Sequence, residues 1–422
     1  MEIGGVGIVP RDLGVRVSKT MFAPRGGLAF RVTEKFVIRA GYGLTNDPYA
    51  LARPLRTNHP TLIELDVRAP NGLAPAGRLA AGIPAIPIPP LGNGIVDIPS
   101  NVTAFTIPLN FERGYVQSWN FTLERELGRG FKGEAGYVAT RQTRQLGFRE
   151  LNWAPVGGGS AGQQLFRQFG RTANTQLVTP IGGTHYDSLQ ARLQRRLSSW
   201  YTLDAGYTWS KSITTSGQGN SDGGLAINIP EYYHLNRSVS GFNRAHNLHI
   251  TNITELPFGK GRRWLSGRGP LAAIAGGWQV SNVVGFMSGQ PFSLGSSSSS
   301  LNAPGNTQRA DQVKPRVEIL GGIGRGQPWF DPSAYAQVND ARFGTAGFNS
   351  LRGPGVRDWD IGVHRLFRLA ERATLQFRME SFNFTNTPKF DNPRNTAGSS
   401  GFGEIQSSYG EREFRFGLRL GF

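Results

Sequence analysis

The sequence predicts an all-β chain, a transmembrane antiparallel β-barrel, on three observations. Apolar and polar residues alternate with period two through about eleven extended segments, each near the length of a tilted membrane crossing. The connections between these segments alternate between short and long. The 422 residues hold no apolar run of the roughly 18 residues that a helical span needs, while 57 glycines and 11% aromatic residues suit a turn-rich sheet with aromatic girdles.

In chain order, Leu28, Phe30 and Val32 share one face of the first clear strand. After Thr33-Glu34-Lys35 the set Phe36, Ile38, Ala40, Tyr42 and Leu44 continues that face, with Arg39, Gly41 and Gly43 opposite. Trp119, Phe121 and Leu123 alternate with Asn120, Thr122 and Glu124. Leu127-Gly128-Arg129-Gly130 then turns the chain into Phe131, Ala135 and Tyr137, set against Lys132, Glu134 and Gly136. Leu189, Ala191 and Leu193 oppose Gln190, Arg192 and Gln194; beyond a Ser-Ser turn, Tyr201, Leu203, Ala205, Tyr207 and Trp209 oppose Thr202, Asp204, Gly206, Thr208 and Ser210. Residues 246–257 and 274–289 read as weaker strands. Trp359, Ile361 and Val363 alternate with Asp358, Asp360 and His364, and Ala373, Leu375, Phe377 and Met379 with Thr374, Gln376, Arg378 and Glu380. The chain closes with Phe414, Phe416, Leu418, Leu420 and Phe422 on one side and Glu413, Arg415, Gly417, Arg419 and Gly421 on the other. An apolar face ending on an aromatic residue, with charges and glycines behind it, fits a wall between lipid and water.

Connections 33–35, 127–130, 198–200 and 369–371 are short and 258–273 is intermediate, whereas 46–113, 142–184, 212–245, 290–356 and 386–410 are long. Outer-membrane barrels sort their loops this way, with short periplasmic turns and long extracellular loops. A soluble sandwich has no reason to do so. The prolines of 83–99 cannot donate to a ladder, and the glycine- and serine-rich stretches at 157–160, 216–224 and 296–300 read as flexible and polar. The expected organisation is the N-terminal end of an incomplete barrel segment over 1–26, then a transmembrane segment over 27–422 bearing the five long loops. Barrels of this kind have an even strand count, so either residues 10–20 add a twelfth strand or earlier strands precede the chain. Met1-Glu2-Ile3-Gly4-Gly5 lacks the basic start and apolar core of a secretory leader, which favours the second expectation.

Cysteine is absent, which excludes disulfides, thiol catalysis and thiolate metal sites. The formal charge of +17 invites a nucleic-acid partner, but the arginines are spread along alternating strands rather than gathered into a run or basic helix. They suit a wet lumen, turns and lipid phosphates, and no nucleic-acid partner is expected.

Several landmarks together resemble the C-terminal barrel of TonB-dependent outer-membrane receptors, specifically the Oar-like branch. They begin with Phe22-Ala-Pro-Arg-Gly-Gly-Leu-Ala-Phe30, Arg39-Ala-Gly-Tyr-Gly43, Gln117-Ser-Trp-Asn-Phe-Thr-Leu-Glu-Arg-Glu-Leu127 and Gly136-Tyr-Val-Ala-Thr-Arg141. They continue with Tyr207-Thr-Trp-Ser-Lys-Ser212, Leu256-Pro-Phe-Gly-Lys-Gly261, Gly277-Trp-Gln279, Ser288-Gly-Gln-Pro-Phe292 and the closing Phe416-Gly-Leu-Arg-Leu-Gly-Phe422. The resemblance implies the C-terminal half, about 11–12 strands, of a 22-stranded barrel with a plug inside. It also implies coupling to a TonB-type inner-membrane energy complex acting through that plug, and a terminal strand (Phe414, Phe416, Leu418, Leu420, Phe422) read by the barrel-insertion machinery.

Asp358, Asp360 and His364 share a lumen-facing strand edge, with Arg378 and Glu380 on the adjoining strand and Arg415 and Arg419 beyond. Two carboxylates and a histidine could hold a metal or do acid–base work. With no second ligand set or nucleophile, a lumen charge ladder is the better reading, and no catalytic, cofactor or metal residue is expected. His246 and His249, three apart on a strand, face opposite sides. Zinc-protease, phosphate-loop and nucleophile-elbow motifs do not occur. Tyr201, Tyr207, Trp209, Trp119 and Trp359 suit interfacial girdles; Trp153, Tyr232, Tyr233 and Trp329 sit on loops, as structure or as stacking groups. The expectation is therefore an outer-membrane protein embedded in lipid that takes up a large or scarce solute of unknown identity, with a surface-binding barrel or adhesin as the alternative.

Overall fold

The computed structural model describes residues 2–3, 7–8, 14–47, 77–82, 96–198, 200–216, 223–267, 269–370 and 372–422. Among the described residues eleven long strands form the main path of one sheet, to which the short segments Ala104–Thr106 and Ser238–Val239 pair at the side: β1 (Arg25–Thr33), β2 (Phe36–Asn46), β3 (Tyr115–Gly128), β4 (Phe131–Glu150), β5 (Thr175–Ser198), β6 (Tyr201–Thr214), β7 (His246–Glu255), β8 (Trp278–Met287), β9 (Val356–Arg368), β10 (Thr374–Phe382) and β11 (Glu413–Gly421). Their order in the sheet is their order in the chain, and every neighbouring pair is antiparallel. Such a meander follows from sequence locality: each strand pairs with the next before the chain can wander. Between β3 and β4 the reversal runs through Gly128, Arg129 and Gly130 at φ 86°, 51° and 78°, a left-handed stretch that two glycines make accessible.

Register carries one apolar row across the sheet. Phe30 faces Ile38, then Leu123, Ala135, Ala191, Tyr207, Leu248 and Phe286. At the far side Val363 faces Met379 and Met379 faces Phe416, while Phe377 faces Leu418. This face meets no second protein layer: Phe416 and Leu418 keep 70% and 72% of their surface exposed. In water each such side chain would forgo roughly 1.5–3 kcal/mol of burial, whereas lipid tails are as apolar as the side chains themselves. The apolar face is the lipid face. Strands β1 and β11 are the sheet's two edges and do not pair with each other among the described residues.

The connections sort by end. Residues 34–35, 129–130, 199–200, 256–277 and 369–373 join strands at one end; 47–114, 151–174, 215–245, 288–355 and 383–412 join them at the other. The intermediate connection carries a short helix, Pro270–Ala275. The loop expected at 142–184 shrinks to 151–174, because β4 and β5 continue pairing up to Glu150 and Gln176 through a bulge near Pro180. Their alternation fades there because a strand standing clear of hydrocarbon has no face that must be apolar. Arg16–Val17 pairs only with Asn110–Phe111, so the described part of 10–20 adds no strand to the sheet; residues 10–13 lie outside the described residues.

The buried apolar core lies in the loops. Phe292, Leu294, Ala310, Phe330, Ala334, Tyr335, Ala346 and Ala397 form one cluster, and Ile227, Ile229, Leu301, Ala303, Phe343 and Phe348 a second. The long connections 215–245, 288–355 and 383–412 thus pack into a cap on one end of the wall. The stretches at 157–160 and 296–300, expected as flexible and polar, bond into this neighbourhood: Gly159 donates to the Asn302 carbonyl, and Ser300 donates to Val338 O at 2.6 Å. Residues 217–222, and 83–95 of the proline-rich stretch, lie outside the described residues.

Candidate functional site: the polar face and the loop cap

The second face of the wall carries cross-strand clusters of charge. Glu124 on β3 accepts from Arg39 on β2 at 3.4 Å and pairs with Lys132 on β4 at 2.9 Å, and Lys132 also reaches Glu134 at 2.9 Å. Farther along, Arg192 donates through Nε to Asp204 Oδ1 at 2.9 Å and through Nη2 to Oδ2 at 2.5 Å, while Gln194 adds a bond at 3.3 Å. These are cross-strand pairs between acids and bases that the period-two pattern puts on one face.

Gly136 and Gly206 notch this face. With Thr122, Glu134, Gln190, Arg192, Thr208 and His249 they line a cavity of about 200 Å³. A Cβ at Gly206 would stand 2.2 Å from the His249 ring, which lies across it. Gly206→Ala is expected to cost roughly 1–3 kcal/mol through this overlap. Denaturation in detergent should show most of that loss vanish in a His249→Ala background; equal losses in both backgrounds would rule out the contact as its cause.

The residues singled out from the sequence share this face by register: His364 lies opposite Arg378, Glu380 opposite Arg415, and Gln376 opposite Arg419. They do not converge. Asp358 binds Lys389 Nζ at 2.9 Å, Asp360 accepts the Asn383 backbone N–H at 2.8 Å, and His364 Nε2 lies 3.3 Å from Ser281 Oγ. Arg415 reaches Glu413 on its own strand at 3.2 Å and lies over the Phe382 ring. The two aspartates thus tie the top of β9 to loop 383–412, a structural task. His246 and His249 do fall on opposite faces, His246 bonding the Tyr207 hydroxyl through Nδ1 at 2.8 Å. Phe414, Phe416, Leu418 and Leu420 line the apolar face of edge strand β11, and Phe422 lies one residue past its end.

Of the aromatics, Trp209 is exposed on the lipid face, and Trp119 there lies under the Arg141 guanidinium, 5.2 Å from its centroid. Trp153 and Trp329 instead pack against the two loop cores, and Trp329 Nε1 donates to Arg352 O at 2.9 Å. Periodicity could not find these cores, since their residues follow none. The signal available was aromatic density: Phe292, Trp329, Phe330, Tyr335, Phe343 and Phe348 all fall within the one long loop expected at 290–356.

The cap is also pinned by polar groups. Asn152 donates to Arg171 O at 2.9 Å, and Glu150 accepts the backbone N–H of Asn152 and of Thr175 at 2.8 and 2.7 Å. Arg342 grips Asp311 with two bonds of 2.8 and 2.5 Å, and the Thr345 N–H adds one at 3.1 Å. The Arg342 guanidinium holds the Asp311 carboxyl below the ordinary carboxylate range. Its stabilisation is therefore present above the unfolded pKa near about 3.9 and is lost as pH falls through the lower folded value. Arg342 is 45% exposed, so solvent screening keeps the gain small. Hydrogen-exchange protection of 340–346, corrected for intrinsic rates, should drop from about pH 6 to about pH 3, and Asp311→Asn should flatten that drop. An unchanged drop would assign it to another group.

An antiparallel wall with a lipid face, a charged wet face and loops sorted to one end defines an integral membrane protein of the strand-built class. The chain belongs to the outer membrane beta barrel domain family, whose profile matches residues 1–415, and its place is the outer membrane. No curated protein matches it in sequence. Among solved structures it is similar to the outer membrane transporter YddB from Escherichia coli (9% identity, 94% of this chain and 40% of that one, TM-score 0.48). It is also similar to the FrpB iron transporter from Neisseria meningitidis (10%, 94% and 38%, TM-score 0.43). A third is BauA, the ferric preacinetobactin receptor from Acinetobacter baumannii (12%, 94% and 36%, TM-score 0.40). The chain spans 40% or less of the length of these three.

Proposed function

We propose that this chain is the C-terminal barrel portion of a TonB-dependent outer-membrane receptor of the Oar-like type, which takes up a large or scarce solute. The observation that carries this reading is the ordered series of landmarks from Phe22 to Phe422, laid out on a wall whose long-loop end is built into a packed cap. A passive pore gains nothing from such a cap; a receptor that selects one solute gains a fixed surface. In this reading residues 27–422 supply wall and extracellular loops, residues 1–26 lead into them, and Asp358, Asp360, His364, Arg378, Glu380, Arg415 and Arg419 face the lumen. Phe414, Phe416, Leu418, Leu420 and Phe422 serve the barrel-insertion machinery as its recognition strand. The energy-coupling complex acts through a plug domain, as in other receptors of this type. The role is transport rather than catalysis.

The test is accumulation of labelled ferric chelates, oligosaccharides and peptides in cells with and without the protein. One class should enter only when the protein is present and the inner membrane is energised. Retention at the surface without entry, unaffected by de-energising, would leave the adhesin reading in its place.

A further inference from the structure

Two arginines at the seam between cap and wall form no ion pair among the described residues. Arg244, just before β7, donates through Nη1 to Ser288 O at 2.9 Å. Arg352, in the cap, donates through Nη1 to Gly289 O at 3.1 Å and to Asn243 O at 3.2 Å, and through Nη2 to Asn243 Oδ1 at 2.5 Å. The two guanidinium groups thus bond to the carbonyls of consecutive residues, and Arg352 also grips the residue before Arg244. They share one corner.

The backbone of both residues is held in place. Leu351–Arg352 pairs with Pro291–Phe292, whose Phe292 belongs to the cap core, and Trp329 donates to the Arg352 carbonyl. Ser210 on β6 donates to the Arg244 carbonyl at 3.1 Å. Among the described residues no carboxylate forms an ion pair with either arginine. Burial lowers the pKa of each, and the charge of Arg244 lowers that of Arg352 further, so the two cations repel. The Tyr409 phenol lies close enough to act electrostatically on Arg244. Desolvated like charges are costly unless an anion joins them, and two planar forks on a fixed frame suit an oxyanion, which accepts several N–H bonds at once.

We propose that Arg244 and Arg352 form a subsite for the carboxylate or phosphate group of an anionic solute. The site rests on the receptor reading above and narrows it to cargo bearing an oxyanion. Arg352 lies within connection 288–355 and Arg244 two residues before β7, so a bound anion also strengthens the seam between cap and wall.

The test uses the full chain, refolded in detergent, with citrate and inorganic phosphate as probes and intrinsic fluorescence as readout. At least one probe should bind saturably, and Arg244→Gln and Arg352→Gln should each weaken it about tenfold or more. Arg263→Gln, at the opposite end of the wall, removes the same charge and should leave binding unchanged. Because Arg352 also holds Asn243, its variant can lose its fold; Arg244→Gln, which gives up a single bond, then decides. No saturable binding, or equal weakening by Arg263→Gln, overturns the proposal. Binding confined to lipopolysaccharide phosphates and sensitive to Arg244→Gln would transfer the subsite to the membrane surface and overturn the solute assignment. Binding is measured without cells or energy, so its failure leaves the transport reading standing. Conversely, absence of energised uptake would leave an anion site on a surface-binding barrel.

Discussion

Leu123→Arg is expected to destabilise the wall by about 2–4 kcal/mol and to lower the yield of chains folded into lipid vesicles. Leu123 lies within the apolar row, between Ile38 and Ala135, with its side chain on the face that meets no protein layer. An arginine there must be desolvated in hydrocarbon or drag water and headgroups inward, and mid-strand it has the farthest to reach. Gln190→Arg introduces the same residue on the opposite face, beside Thr122, Thr208 and the existing charges. That change should cost less than about 0.5 kcal/mol, since the side chain stays in water. Urea titration of vesicle-inserted protein gives both values. Equal costs would mean that the two faces have been assigned wrongly, and the membrane reading would fall with them.

The second large effect lies in the cap. Phe330 is fully buried and packs against Phe292, Tyr335 and Phe402, with ring centroids 6.0, 5.9 and 5.3 Å away. Phe330→Ala removes this hub and should cost roughly 3–5 kcal/mol of cap stability, since the neighbours close such a cavity only in part. The wall shares few of these contacts and should keep its strands. Limited proteolysis should therefore release fragments from 288–355 and 383–412 while the strand hydrogen bonds retain their exchange protection. Collapse of wall and cap together would show one cooperative unit instead.

Much of the wall was legible in the chain. Its strands, their meander and the parity of the connections all follow from period-two alternation, and Trp119, Phe121 and Leu123 fall where that alternation places them. The pattern is strong because a one-residue slip would turn every apolar side chain of a strand from lipid to water. Alternation puts Asp358, Asp360 and His364 on one face for the same reason, but it says nothing of partners. Lys389 and Asn383, which bind the two aspartates, come from a loop without period. The extensions of β4 and β5 were missed because alternation ends where the hydrocarbon does, although hydrogen bonding does not.

The sequence by itself determined which side chains face lipid and in what order the strands stand, because hydrocarbon imposes that constraint residue by residue along each strand. Only the tertiary structure decided that the long connections share a core, and that Arg352 reaches the Asn243 side chain 109 positions away beside Arg244. Such contacts depend on where loops meet after the wall has brought their ends together, and no local period encodes that meeting.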